Sequence, residues 1–203
     1  VNVVRDEIPN EIHNQIHLNL GGYAESANDG YLGSVVSEFP IDPFAFRVEL
    51  SRRKTDNVMT PSGELKNSYS ENLNYSLGSS FIKNWGYIGA SYRNFELEYG
   101  VPGGFVGAHP DGVDIELYRR QLNFKSPIYF NDKLFKELET NYSYVLYRHK
   151  EFEKSGRIGA EFKIQTHLGN VNLNHNSLGF LSAGTLGVSF EFREYEVGGF
   201  VFN

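Results

Sequence analysis

The stretch Leu134-Phe135-Lys136-Glu137-Leu138-Glu139-Thr140-Asn141-Tyr142-Ser143-Tyr144-Val145-Leu146-Tyr147-Arg148-His149-Lys150-Glu151-Phe152 contains no glycine, no proline and no helical repeat. Leu138, Thr140, Tyr142, Tyr144 and Leu146 share one parity, while Glu137, Glu139, Asn141, Ser143, Tyr147 and His149 share the other. Successive strand side chains point to opposite faces, so this pattern predicts an antiparallel strand with one apolar and one polar face. Its span of about 19 residues corresponds to about 60 Å at about 3.3 Å per residue. Strands of soluble domains usually run about 3 to 10 residues. A bilayer crossing takes only about 9 to 11, so the excess would stand above the membrane as a rim.

The same rhythm recurs outward from that stretch. Ile16, Leu18 and Leu20 alternate with His17 and Asn19; Phe44, Phe46, Val48 and Leu50 alternate with Ala45, Arg47, Glu49 and Ser51. Leu73, Tyr75 and Leu77 alternate with Asn74, Ser76 and Gly78, and Ile88, Ala90 and Tyr92 with Gly89, Ser91 and Arg93. Ile158, Ala160, Phe162 and Ile164 oppose Gly159, Glu161, Lys163, Gln165 and His167. Leu186, Val188, Phe190 and Phe192 oppose Gly187, Ser189, Glu191 and Arg193. This periodicity predicts an all-β chain of about nine strands in an antiparallel meander. Parity changes between Val113, Ile115 and Leu117 and the later Leu122 and Phe124. A β-bulge near Arg119 and Arg120 accounts for the change, as does a rim above a bilayer.

Two kinds of connection alternate. Phe39-Pro40-Ile41-Asp42-Pro43, Lys83-Asn84-Trp85-Gly86 and Tyr129-Phe130-Asn131-Asp132-Lys133 read as short turns. Asp56 to Ser70, Glu98 to Gly112 and Lys150 to Gly156 read as long polar loops. Tight turns at one end and long loops at the other are the habit of outer-membrane barrels. Phe44, Phe81, Trp85 and Tyr87 near strand ends suit an interfacial aromatic girdle, although each alone also suits ordinary core packing.

Composition narrows the function classes. The chain has 203 residues, 13 Tyr, 16 Phe, 21 Gly, no Cys and a formal net charge of −6. The absence of Cys excludes disulfides and thiolate metal sites. The negative charge, with only Arg52-Arg53-Lys54 as a basic run, argues against a nucleic-acid partner. No apolar stretch reaches the roughly 20 residues of a transmembrane helix, which leaves a barrel open. The chain opens Val1-Asn2-Val3-Val4 with no initiator Met or signal segment, as a chain beginning midway would.

Chemistry finds few candidates. Nucleophile-elbow, zinc-protease and phosphate-loop motifs are missing, and a water-filled lumen explains Glu137, Glu139 and Glu161 without catalysis. No enzyme activity, cofactor or metal is therefore expected. His13 and His17 on one strand would lie about 13 Å apart, too far to share an ion. His149 and His167 read as lumenal polar residues. His109 and Asp111 sit in a glycine-rich loop, where binding residues concentrate.

Several segments, in order, carry a resemblance. Val1-Asn2-Val3-Val4-Arg5-Asp6-Glu7-Ile8-Pro9 resembles the junction between plug and barrel in TonB-dependent outer-membrane receptors. Thr60-Pro61-Ser62-Gly63-Glu64-Leu65-Lys66-Asn67-Ser68 is similar to an early extracellular loop of one branch of that family. Gly86-Tyr87-Ile88-Gly89-Ala90-Ser91-Tyr92, Tyr99-Gly100-Val101-Pro102-Gly103, Gly112-Val113-Asp114-Ile115-Glu116-Leu117, Tyr147-Arg148-His149-Lys150-Glu151-Phe152-Glu153 and Gly184-Thr185-Leu186-Gly187-Val188 are similar to the same branch. That branch includes proposed metal-uptake receptors with a His-rich loop after the Tyr-Gly-x-Pro-Gly segment. Here that loop has only His109.

The resemblance implies a plug end and linker over residues 1–9 and the first part of a large transmembrane β-barrel over 10–203. It implies active uptake of a scarce small ligand, such as a metal chelate or siderophore, in a Gram-negative outer membrane. Its partners would be outer-membrane lipid, a plug domain of the same polypeptide and a TonB-type energy-transducing protein. Arg47, Arg93, Glu161 and Arg193 would face the plug from the lumen; His109, Asp111 and Arg93 would meet ligand. Such transporters have about 22 strands, so about nine would be an incomplete wall. Phe200-Val201-Phe202-Asn203 does not read as the closing strand. A passive porin or adhesin wall and a soluble all-β carbohydrate-binding domain share the alternation and form the alternatives.

Overall fold

The computed structural model describes residues 7–104, 109–177 and 179–199. The readings placed on Val1 to Asp6 and on the last four residues lie outside them. All regular structure among the described residues is strand: β1 (His17–Glu25), β2 (Gly30–Ile41), β3 (Phe44–Thr55), β4 (Val58–Thr60), β5 (Gly63–Leu65), β6 (Ser70–Lys83), β7 (Gly86–Val101), β8 (Val113–Tyr129), β9 (Phe135–Glu153), β10 (Ile158–His175) and β11 (Gly184–Gly198). Nine of these form one antiparallel sheet in the order β1-β2-β3-β6-β7-β8-β9-β10-β11, and β4 with β5 forms a small hairpin in the loop before β6. Each long strand thus pairs with its neighbours along the chain, as a meander of hairpins requires. Among the described residues, β1 and β11 each have one edge without a strand partner.

Paired residues of an antiparallel ladder share a face, so the register carries each face across the sheet. One lateral row reads Val48, Leu77, Tyr92, Leu122 and Tyr144. These residues belong to an apolar band that also contains Leu18, Leu20, Val171, Val188 and Phe192. The band is open to its surroundings: Leu77 is 54% exposed, Val188 74% and Leu20 74%. On β9 it extends from Leu138 to Leu146, about 26 Å along the strand at about 3.3 Å per residue.

About six residues nearer the long-loop end, the same face carries Lys54, Glu71, Glu98, Glu116, Lys150 and Glu161, paired one to the next. From β3 to β10 all six positions are charged, and the row ends at Tyr31 on β2 and Gly198 on β11. Opposite-charge neighbours join there: Arg52 with Glu71, Arg148 with Glu161 at 3.0 Å, and Lys163 with Glu196 at 2.9 Å. The other face inverts this arrangement. Behind the apolar band it carries Arg47, Gly78, Ser91, Asn123 and Ser143, and behind the charged row it carries Tyr99, Ile115, Leu117, Tyr147 and Phe162.

Several expectations change in this register. Phe162 and Ile164 pair with His149 and Tyr147, on the face opposite Leu138 and Tyr142. Glu161 accordingly lies on the apolar-band face and not with Arg47, and His167 lies opposite His149. The register of β8 runs unbroken through Arg119 and Arg120, so no bulge exists there. Shifts occur instead at Ile158/Ala160 and Asn174/His175. The parity change in β8 comes from apolar side chains switching faces, with Val113 and Ile115 buried near the rim loops. Lys150 to Gly156 is not a long loop either: β9 continues to Glu153 and β10 resumes at Ile158.

Candidate functional site: the polar face and its rim

The polar face of the lower sheet holds a backbone segment, Glu7-Ile8-Pro9, that is not part of any strand. Glu7 Oε1 accepts from Arg93 Nη1 at 2.5 Å, with side chains only 7% and 12% exposed. The carbonyl of Pro9 accepts from the Ser80 hydroxyl at 2.5 Å. Asn123 Nδ2 approaches the second Glu7 oxygen at 3.5 Å and donates to Ser91 at 3.1 Å. Gly78 makes the crossing possible: a Cβ there would stand 1.8 Å from the Glu7 carbonyl oxygen. A strand-interior glycine at a close backbone approach is what sheet chemistry anticipates.

Beside this segment lies a cavity of about 740 Å³, bounded by residues of β7, β8, β9, β10 and β11. Its lining combines five successive strands with Glu7, Ile8 and Asn10 of the crossing segment. Gln121, Asn123, Asn141, Ser143 and Ser189 line it, with Glu7, Arg93, Arg119, Lys125 and Glu191 as charges. Amides and hydroxyls that bond along the wall, such as Gln121 to Asn123 at 2.8 Å and Ser143 to Asn123 at 2.8 Å, keep the surface wettable.

The rim is tied by a different set. Asn67, at φ 61°, donates from Nδ2 to the carbonyls of Val101 and Val113, each at 2.9 Å. Asn tolerates this left-handed region better than most residues. Lys154 Nζ donates to Asn67 Oδ1 and to Asp114, each at 2.7 Å. Tyr69 donates to Asp114 at 3.3 Å. Burial, and then the adjacent Asp114 carboxylate, push the Tyr69 phenol up to about 12. Three rim segments far apart in the chain are thereby joined. Periodicity offers no signal for Asn67, Lys154 or Asp114, whose roles depend on loop geometry.

The expected site residues do not converge. His109 sits at the rim, its Nδ1 2.8 Å from Glu153 Oε2, and Asp111 is exposed nearby. Arg93 lies eight positions before Val101 on β7, about 26 Å below the loop at about 3.3 Å per residue. It is engaged by Glu7 and by Asn74 at 3.1 Å. Arg47 does lie on the polar face, bonded to the wall residues Glu38 and Glu49. Arg193 shares that face and pairs with Glu191 at 2.6 Å. Glu161 is on the other face, with Arg148. Among the described residues, Arg93 is the one of the four residues expected to meet a plug that bonds to Glu7.

His13 and His17 correct a further expectation. β1 begins only at His17, and residues 11–16 are not strand. The rings of His13 and His17 stack with centroids 4.4 Å apart. Glu38, the register partner of His17, places Oε2 3.0 Å from His13 Nε2. The distance of about 13 Å expected for one extended strand therefore does not apply.

No family model matches the chain, and no curated protein proves similar to it.

Proposed function

We propose that this chain is a wall segment of an outer-membrane β-barrel of the TonB-dependent receptor type, mediating active uptake of a small ligand. The observation that carries the proposal is the crossing of Glu7 to Pro9 over the polar face, held by the buried Glu7–Arg93 pair above Gly78. A plugged transporter needs a chain segment anchored to the lumenal side of its wall, whereas an open porin does not. The exposed apolar band on the opposite face supports a lipid-facing role, since contiguous exposed apolar surface otherwise marks a protein interface or an aggregation liability. In this reading the charged row lies above the bilayer and the loops around Asn67 and His109 face outside. The ligand is small, and its class is left to the uptake assay. The two free edges must be paired in a bilayer, so the reading requires further strands to close the wall.

The test is reconstitution of the native full-length protein in planar bilayers. The plugged-receptor reading predicts insertion without steady conductance, together with ligand uptake in cells that stops when a protonophore collapses the inner-membrane gradient. Steady ohmic conductance would favour a passive porin. Failure to insert, with a stable monomer in detergent-free buffer, would favour the soluble all-β domain.

A further inference from the structure

We propose that His13, His17 and Glu38 form a binding site for a divalent transition-metal ion of the Zn²⁺ class, with water as the fourth ligand. The inference rests on this cluster and not on the membrane reading, because a soluble form of the chain would carry the same three groups. One ligand atom from each residue lies within 4.8 Å of the other two. Zinc bonds of about 2.0–2.2 Å in a tetrahedron place ligand atoms about 3.4 Å apart, so accommodating the ion takes closure of the cluster and rotation of one imidazole out of the stack. Two imidazoles and one carboxylate suit a borderline cation, and a site with three protein ligands keeps an open position.

The surroundings prepare each ligand. Glu38 Oε1 accepts from Arg47 and Oε2 from His13, so the oxygen that would meet the ion is already oriented. Arg47 also bonds Glu49 at 2.6 Å and 2.9 Å, which divides its charge between two carboxylates. Glu11 lies 3.8 Å from His13 Nδ1, beyond hydrogen-bond reach, and adds negative charge beside the cluster. Without an ion, His13 Nε2 donates to Glu38 Oε2 at 3.0 Å, so a bound ion takes the place of that proton between the same two atoms, and metal binding releases it. Stacked rings with a shared carboxylate also bring together two elements, the irregular segment before β1 and strand β2. A bound ion would clamp the segment leading from Pro9 onto the wall.

The experiment is Co²⁺ and Zn²⁺ titration of the full-length protein in detergent. One high-affinity equivalent should give the intense visible bands of tetrahedral Co²⁺, displaced by Zn²⁺. His13→Ala and His17→Ala should each weaken binding at least tenfold and abolish the bands, and Glu11→Gln should weaken it less. Glu38→Gln also disturbs Arg47, so the two His variants carry the test, with circular dichroism and heat-modifiable gel mobility as folding controls. Equal stoichiometry and affinity in wild type and the folded double His variant would overturn the site, as would absence of any tetrahedral Co²⁺ signature in wild type.

Discussion

The lower and upper parts of β10 present opposite polarity on the same face of the sheet. Near the short-turn end, Val171 and Leu173 lie on one face while Asn170 and Asn172 lie on the other. Near the long-loop end the polarity reverses, with Glu161 and Lys163 on the first face and Phe162 and Ile164 on the second. The register between them is continuous from Ala160 to Asn174, so no slip causes the reversal. In the proposed membrane reading, what changes with height is the medium each face meets. A single strand therefore records two environments, and alternation by itself does not say which face is outside.

The comparison yields predictions of decreasing size. The largest concerns the lower polar face: Arg93→Leu removes the cation paired with the buried Glu7 carboxylate and should destabilise the docked segment by about 3–5 kcal/mol. Protease cleavage near Pro9 should become rapid, and unchanged resistance would show that the pair is dispensable. Second, Leu77→Arg in the middle of the band should cost about 2–4 kcal/mol when folding into bilayers is followed by denaturant titration. Glu116→Arg, on the same face but in the charged row, should stay within about 0.5 kcal/mol. Equal costs at both positions would erase the division between the two parts.

Smaller effects are expected at the rim. Lys154→Ala removes a partly exposed link and should lower global stability by no more than about 1 kcal/mol. It should nevertheless speed amide exchange in the loops around Asn67, and slow exchange there would place the rim's order elsewhere. The last prediction is a pH effect. The Tyr69 phenol is raised from 10.0 to about 12 in the folded protein, so its contribution is intact below pH 10 and is lost as pH rises toward 12. Ultraviolet difference titration of wild type against Tyr69→Phe should show one late-titrating phenol. A Tyr69 that titrates with the exposed tyrosines would contradict the buried contact with Asp114.

Strand positions were legible because period-2 alternation is a local property, and β9 is found within a residue of its expected limits. Face assignment was not, since it depends on partners. Phe162 and Ile164 are apolar in sequence, yet pairing with His149 and Tyr147 sets them opposite Leu138. His13 was misplaced because Ile16 to Leu20 alternates and invites an early strand start, whereas the ladder begins at His17. Glu7 carries no periodic signal at all. The available hint was Gly78, which follows Asn74 and Ser76 on the polar parity with a position lacking a side chain and marks a close backbone approach. Among the site candidates, Arg93 was singled out by residue type, but its partner within the chain came only from the fold.

The central claim is that the face bearing the apolar band meets lipid only below the charged row. The chain has no native Cys, so single cysteines along β10 can carry fluorophores in the full-length protein, reconstituted with lipid-attached quenchers. Labels at Val171 and Leu173 should be quenched, while those at Glu161, Phe162, Lys163 and Ile164 should remain unquenched. Quenching at Phe162 and Ile164, or none at Val171 and Leu173, would contradict the account.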